Sequence, residues 1–124
     1  MKKQTILVTG GAGFIGSHLV DKLVTLGYQT VIFDNLEDQV HKGKKPIYLN
    51  KHVRFIRGDV NKPEELEKAL IGVDVIFHLA SRVGVGQSNY EIASYTQTNV
   101  GGMANLLDVI VNKKLPIKKI IMTA

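Results

Sequence analysis

Cysteine and tryptophan are both missing from this 124-residue chain, and it holds only three prolines, four tyrosines and four phenylalanines. Without a thiol there is neither a disulfide nor a thiolate metal site, and that composition fits a cytoplasmic protein. The four histidines, His18, His41, His52 and His78, show no metal-ligand spacing, so no metal is expected. No apolar run reaches the roughly 18 residues a membrane-spanning helix needs, so no membrane association is expected. Met1-Lys2-Lys3-Gln4-Thr5 leads into a short apolar run that ends at a glycine cluster. That run is too short for the core of an export signal, and none is expected.

Acidic residues are also in the minority, 11 against 16 Lys and Arg, for a formal charge of +5. The basic excess gathers in residues 41–57 (Lys42, Lys44, Lys45, Lys51, Arg54 and Arg57) and again in residues 113–119. One reading is a nucleic-acid footprint and the other a solvated, Lys-rich surface. No aromatic residues alternate with the charges as a stacking platform requires, which favours the solvated surface. Such a surface also attracts an anionic nucleotide.

What is present is an alternation of strand-like and helix-like segments. Thr5-Ile6-Leu7-Val8 is a continuous β-prone run of the kind buried on both faces of a parallel sheet. Phe14, Ile15, Leu19, Leu23 and Leu26 then recur at helical spacing, and Gly27 stops the helix. Thr30-Val31-Ile32-Phe33 forms a second strand ending at Asp34, and residues 35–50 form a polar loop long enough to be a binding loop or a small excursion. Val53-Arg54-Phe55-Ile56 is the third strand. A helix follows, with Asn61 as its cap, Glu64 completing a capping-box-like pair and Pro63 in its first turn. Residues 73–80 read as the fourth strand, residues 90–113 as one long helix, and residues 117–122 as the fifth strand. Gly101 and Gly102 inside that helix cost roughly 1 kcal/mol each against Ala, which points to close packing there. The pattern predicts one α/β domain over residues 1–124, a doubly wound parallel sheet of the Rossmann type.

The glycines at the first strand–helix junction carry the chemistry. A Gly-rich pattern alone is a weak signal; it gains force when it follows a strand, opens a helix and is answered by an acid about 20 residues later. Thr9-Gly10-Gly11-Ala12-Gly13-Phe14-Ile15-Gly16 meets the first two conditions and Asp34 the third. Gly10 allows the tight turn, Gly13 lets the backbone approach a pyrophosphate, and Gly16 lets the helix lie close on the sheet. The helix N-terminus then offers free N–H groups and a partial positive charge to the phosphates. A carboxylate at Asp34 accepts the adenosine-ribose hydroxyls and repels a 2′-phosphate, and no Arg follows nearby, so NAD is expected over NADP. The alternative readings are a plain strand–helix turn and a solvated strand end.

These residues, followed by Val31-Ile32-Phe33-Asp34-Asn35-Leu36, resemble the opening of the extended short-chain dehydrogenases, the NAD-dependent sugar-nucleotide epimerase/dehydratase family. Gly58-Asp59-Val60, His78-Leu79-Ala80 and Thr98-Asn99-Val100-Gly101-Gly102 resemble its later landmarks, in order and across essentially the whole chain. Val83-Gly84-Val85-Gly86-Gln87-Ser88, with Tyr90-Glu91-Ile92 after it, looks closest to nucleoside-diphosphate-sugar 4-epimerases. The resemblance implies that Phe14 and Ile15 give backbone N–H groups to the pyrophosphate and that Asp34 and Asn35 hold the adenosine ribose. It implies Asp59 on the adenine amino group with Val60 beside the ring, and Leu79, Ala80 and Ser81 lining the path to the nicotinamide ribose. Asn99, on the packed side of the long helix, is expected to steady the strand-end loops. Asp59 and Asn99 also read as capping or loop-bracing residues, and His78 as a packed strand-end residue rather than a catalyst. Some family members use a Lys in the loop after the fourth strand; the corresponding position here is Val83, which puts that contact in question.

The family's proton transfer uses a Tyr-x-x-x-Lys pair, with a Ser or Thr placing the sugar hydroxyl. Tyr28, Tyr48, Tyr90 and Tyr95 all lack a Lys four residues later. The chain reaches Met122-Thr123-Ala124 where the family's Ser-rich catalytic stretch begins. It is therefore expected to be the N-terminal portion of an epimerase or dehydratase, truncated after the fifth strand, with no catalytic residue of its own. A nucleotide sugar is the expected substrate of the longer architecture, and an uncovered fifth strand and helix stripe make self-association or a homodimer the expectation. The alternative is a non-catalytic Rossmann module that senses NAD or docks a partner.

Overall fold

Each β-prone run becomes one strand of a single parallel sheet in the computed structural model, which describes residues 3–36, 45–80, 92–93 and 97–122. The order along the chain is β1 (Thr5–Thr9), α1 (Phe14–Thr25), β2 (Gln29–Asp34), β3 (Arg54–Arg57), α2 (Pro63–Ala69) and β4 (Val75–His78). A π-helical turn (Gln97–Gly101), α3 (Gly102–Asn112) and β5 (Lys119–Met122) complete it. In space the strands run β3-β2-β1-β4-β5, every pair parallel. Leu7 of β1 sits opposite Val31 of β2 and Ile76 of β4, so the central strand is the most deeply enclosed.

Strand side chains alternate between faces, and the two cores divide accordingly. Leu7, Val31, Phe33 and Ile76 pack with Leu66, Leu70, Leu106 and Val109 from the segments of α2 and α3. Ile6, Val8 and Ile32 pack on the other side with Val20 and Leu23 of α1. Fully burying a side chain of this size contributes roughly 1.5–3 kcal/mol, so these two layers hold the sheet in register. Outside the cores, the Lys113–Glu67 pair at 3.6 Å links α3 to α2 at an exposed position, worth at most about 1 kcal/mol.

Several boundaries differ from the sequence reading. β4 is four residues long rather than eight because its ladder partner ends: Thr9, the last residue of β1, pairs with His78. β5 ends its ladder at Met122 opposite the same His78. The expected Asn61 cap is not used; Lys62 is the N-cap of α2 and makes no side-chain cap bond, although Pro63 does open the helix. The Asp59 carboxylate instead closes the preceding turn by accepting the Asn61 N–H at 2.8 Å. The long helix is interrupted by the π-helical turn before α3. Gly102 does pack closely: a Cβ there would lie 2.7 Å from Val60 Cγ2.

Candidate functional site

The strand order reverses direction between β1 and β4, and ligands of open α/β sheets bind at that switch point, beyond the C-terminal strand ends. The glycine turn leaves β1 at this edge. Gly10 has φ 70°, and its N–H donates to the Phe33 carbonyl at 2.8 Å. A Cβ on Gly10 would lie 2.9 Å from both Ala80 N and Leu79 C, so the turn abuts the end of β4 directly. A Cβ on Gly16 would overlap the Gly10 carbonyl oxygen and lie 2.8 Å from Gly11 Cα. Gly13 differs from both. Among the described residues a Cβ there would meet only the Gly10 carbonyl oxygen, at 3.3 Å, so their packing crowds this position less than the other two.

The donors around that space follow from the helix geometry. Gly13 N–H turns back onto Gly10 O at 3.1 Å, and the Ser17 N–H donates to Gly13 O at 2.9 Å. Phe14 and Ile15 therefore supply first-turn N–H groups with no carbonyl one turn behind to receive them. Their side chains are 79% and 66% exposed, and no acid lies in the first turn to neutralise the helix end. Helix-start donors with no partner among the described residues, together with the partial positive charge, fit a pyrophosphate.

Asp34 is a buried residue rather than a solvated strand end. Its Oδ2 accepts the Ala12 N–H at 3.0 Å and its Oδ1 the Leu36 N–H at 2.8 Å. A carboxylate has about four acceptor positions, and the described residues take two of them. Leu36 adopts φ 54°, uncommon for a branched residue, and is held there by the Asp34 bond and by burial. Asn35 beside it is exposed. The Gly58 N–H donates to the Asp34 carbonyl at 3.1 Å and brings Asp59 to the same edge.

Tyr48 enters this group from the segment between β2 and β3. Its hydroxyl donates to the Ala12 carbonyl at 2.6 Å. Desolvation, and then the Asp34 carboxylate, raise its phenol above the ordinary tyrosine range. Nothing local to Tyr48 marks a partner 36 positions away, so the sequence alone does not point to it.

At the β1–β4 seam, Thr9 Oγ1 accepts the Leu79 and Ala80 N–H groups at 3.0 and 3.1 Å. The same hydroxyl shares a hydrogen bond with His78 Nδ1 at 2.8 Å. His78 is buried, and desolvation lowers its pKa, so it stands neutral as a packed strand-end residue. Leu79 and Ala80 are half-buried at the crevice.

Val60 is turned into the core beneath α3, with its carbonyl accepting from Asn105 Nδ2 at 3.0 Å. Asn99 is exposed within the π-helical turn, not on the packed side of a continuous helix, because the wider turn shifts its phase relative to α3. Ser81, the loop containing Val83, and Thr123 lie outside the described residues. Among the described residues no group of His, Asp and Glu gathers at metal-binding geometry, and no helix is long and apolar enough to cross a membrane.

The model of the NAD dependent epimerase/dehydratase family matches residues 6–123. The dTDP-L-rhamnose 4-epimerase of Burkholderia thailandensis is 34% identical over 98% of this chain, which spans 34% of that protein. The UDP-glucose 4-epimerase of Thermotoga maritima, solved with UDP-glucose, superposes with a TM-score of 0.85 at 38% identity. That match covers 96% of this chain and 37% of the solved one. The UDP-glucose 4-epimerase of Brucella ovis, solved in complex with NAD, gives a TM-score of 0.80 at 30% identity, covering 96% and 35%. The chain thus spans about a third of the length of the relatives it matches.

Proposed function

We propose, from the premise that this chain belongs to the NAD dependent epimerase/dehydratase family, that it is the NAD-binding portion of a nucleotide-sugar epimerase or dehydratase, with 4-epimerisation as the reaction. The observation that carries this reading is the glycine turn itself, where the first-turn N–H groups of Phe14 and Ile15 follow directly on Ala12, whose own N–H is held by the Asp34 carboxylate. Phe14 and Ile15 hold the pyrophosphate through their backbone. Asp34, with Asn35 next to it, holds the adenosine ribose through the acceptor positions its two backbone bonds leave. Asp59 receives the adenine amino group, the Val60 backbone lies beside the ring, and Leu79, Ala80 and Ser81 line the way to the nicotinamide ribose. Asn99 braces the neighbouring loops from the surface.

NAD, when bound, supplies reversible acceptance of a hydride from a sugar carbon. The chain's own contribution is to bind and orient, since no tyrosine here has a Lys four residues on to handle the proton. On its own the chain therefore turns over no nucleotide sugar; measurable epimerisation of UDP-glucose or a dTDP-deoxysugar by it would overturn this part. Self-association is supported by exposed Val100, Leu107 and Val111 before and along α3 and by exposed Ile121 and Met122 on β5, an edge strand. A cytoplasmic location is in keeping with the absence of cysteine.

Calorimetric titration with NAD and with NADP tests the cofactor assignment. NAD binding with NADP weaker by tenfold or more is expected; equal affinity or an NADP preference would remove the role given to Asp34.

A further inference from the structure

We propose that Tyr48 is a positioning residue for the pyrophosphate site, locking the Ala12–Gly13 peptide so that the Phe14 and Ile15 N–H groups stay aimed at the phosphates. The inference rests on the reading of the glycine turn as the NAD cradle.

Ala12 lies in the middle of the turn, and side chains hold it from two directions. Its N–H is taken by Asp34 at 3.0 Å, and its carbonyl by the Tyr48 hydroxyl at 2.6 Å. The same peptide plane carries the Gly13 N–H, which bonds Gly10 O at 3.1 Å. The Ala12 carbonyl precedes the helix, whose cap is Gly13, and so lies outside the α1 ladder. Rotating the Ala12–Gly13 plane swings the next amides, those of Phe14 and Ile15, away from their common target. Glycine on both sides of Ala12 makes that rotation easy, so an external partner for the carbonyl has an effect here that it would lack inside a helix.

Tyr48 itself is well placed to act as that partner. Its neighbour Leu49 is 6% exposed and packed in the core beneath α1, and the Leu49 N–H donates to Pro46 O at 3.4 Å. Asn50 ties the same segment to α1 through Asp21 at 3.1 Å and accepts the His52 N–H at 2.8 Å. The hydroxyl is thus presented from an anchored segment. A phenol is protonated, and so a donor, across the neutral range, and the upward shift of Tyr48 leaves that unchanged.

The test compares the unmodified chain with Tyr48→Phe, which removes only the hydroxyl, and with Tyr48→Leu, which removes the ring as well. Two quantities are read: the NAD dissociation constant by calorimetry, and amide hydrogen exchange of residues 11–17 in the ligand-free chain. Tyr48→Phe should weaken NAD binding about three- to tenfold, the value of one lost hydrogen bond. It should also speed exchange in residues 11–17 while leaving β1 and β4 amides unchanged, whereas a merely structural role would move exchange throughout the domain. Tyr48→Leu should add little beyond Tyr48→Phe. Wild-type affinity and exchange in Tyr48→Phe, with loss only in Tyr48→Leu, would assign the role to ring packing and overturn the proposal. If the unmodified chain binds no NAD, the cradle reading fails, while the exchange comparison still judges whether Tyr48 locks the turn.

Discussion

Asp34→Asn alters one functional group while keeping the side chain's shape, and its effect can be worked out bond by bond. In the native chain the two carboxylate oxygens accept separate backbone donors, Ala12 N–H at 3.0 Å and Leu36 N–H at 2.8 Å, in a buried setting. An asparagine has one acceptor oxygen, so its amide group must face one of those N–H donors and leave it unpaired. A hydrogen bond to a charged acceptor is worth about 1.5–3 kcal/mol, and the surviving bond weakens with the charge gone. Asp34→Asn should therefore lower unfolding stability by about 2–3 kcal/mol, read as a shift in the urea midpoint at unchanged slope. The ribose loses acceptors, so NAD should bind at least about tenfold more weakly, equivalent to about 1.4 kcal/mol. Loss of the negative charge also removes the repulsion of a 2′-phosphate, so the ratio of NAD to NADP affinity should fall towards one. An unchanged urea midpoint together with an unchanged affinity ratio would refute the reasoning.

Gly16→Ala forces a methyl group onto the Gly10 carbonyl, and backbone cannot yield as a side-chain tip does. It should lower stability by about 1–3 kcal/mol and abolish measurable NAD binding, checked by urea unfolding and calorimetry. The lowered pKa of His78 means that the unfolded chain takes up a proton that the folded chain resists. This contribution to stability is complete above the unfolded value of about 6.5 and is lost as pH falls below it. Urea midpoints between about pH 7 and 5 should therefore drop more steeply for the native chain than for His78→Leu. Ile121→Lys puts a charge on the exposed edge strand and should shift sedimentation towards the monomer; unchanged sedimentation would take β5 out of the contact.

Strand identity was legible because each strand of a parallel sheet reads as its own apolar run, and the glycine turn because its spacing sits between a strand and a helix. Strand ends were less legible. Residues 73–80 are mostly apolar, yet β4 stops at His78 because the ladder of β1 ends at Thr9, which only the three-dimensional pairing reveals. The Asn61 cap failed for a related reason. Asp59 two residues earlier binds the Asn61 N–H, and the helix starts one position later than local composition suggests. Asp34 was legible as an acid at a strand end, but not as a brace that spends two acceptor positions on Ala12 and Leu36. Tyr48 was invisible because its partner is distant in sequence. Asn99 lies off the packed face, and nothing in the sequence of Gln97–Gly101 distinguishes a π turn from an α turn.

On the proposed reading, the amides at the start of α1 receive the dinucleotide's phosphates. Titrating the isotopically labelled chain with NAD and following backbone amide resonances tests it directly. The largest shifts are expected at Phe14 and Ile15, with smaller ones at Gly13, Leu36 and Ala80. Saturable binding that leaves Phe14 and Ile15 unmoved, or no binding at millimolar NAD, would contradict the account.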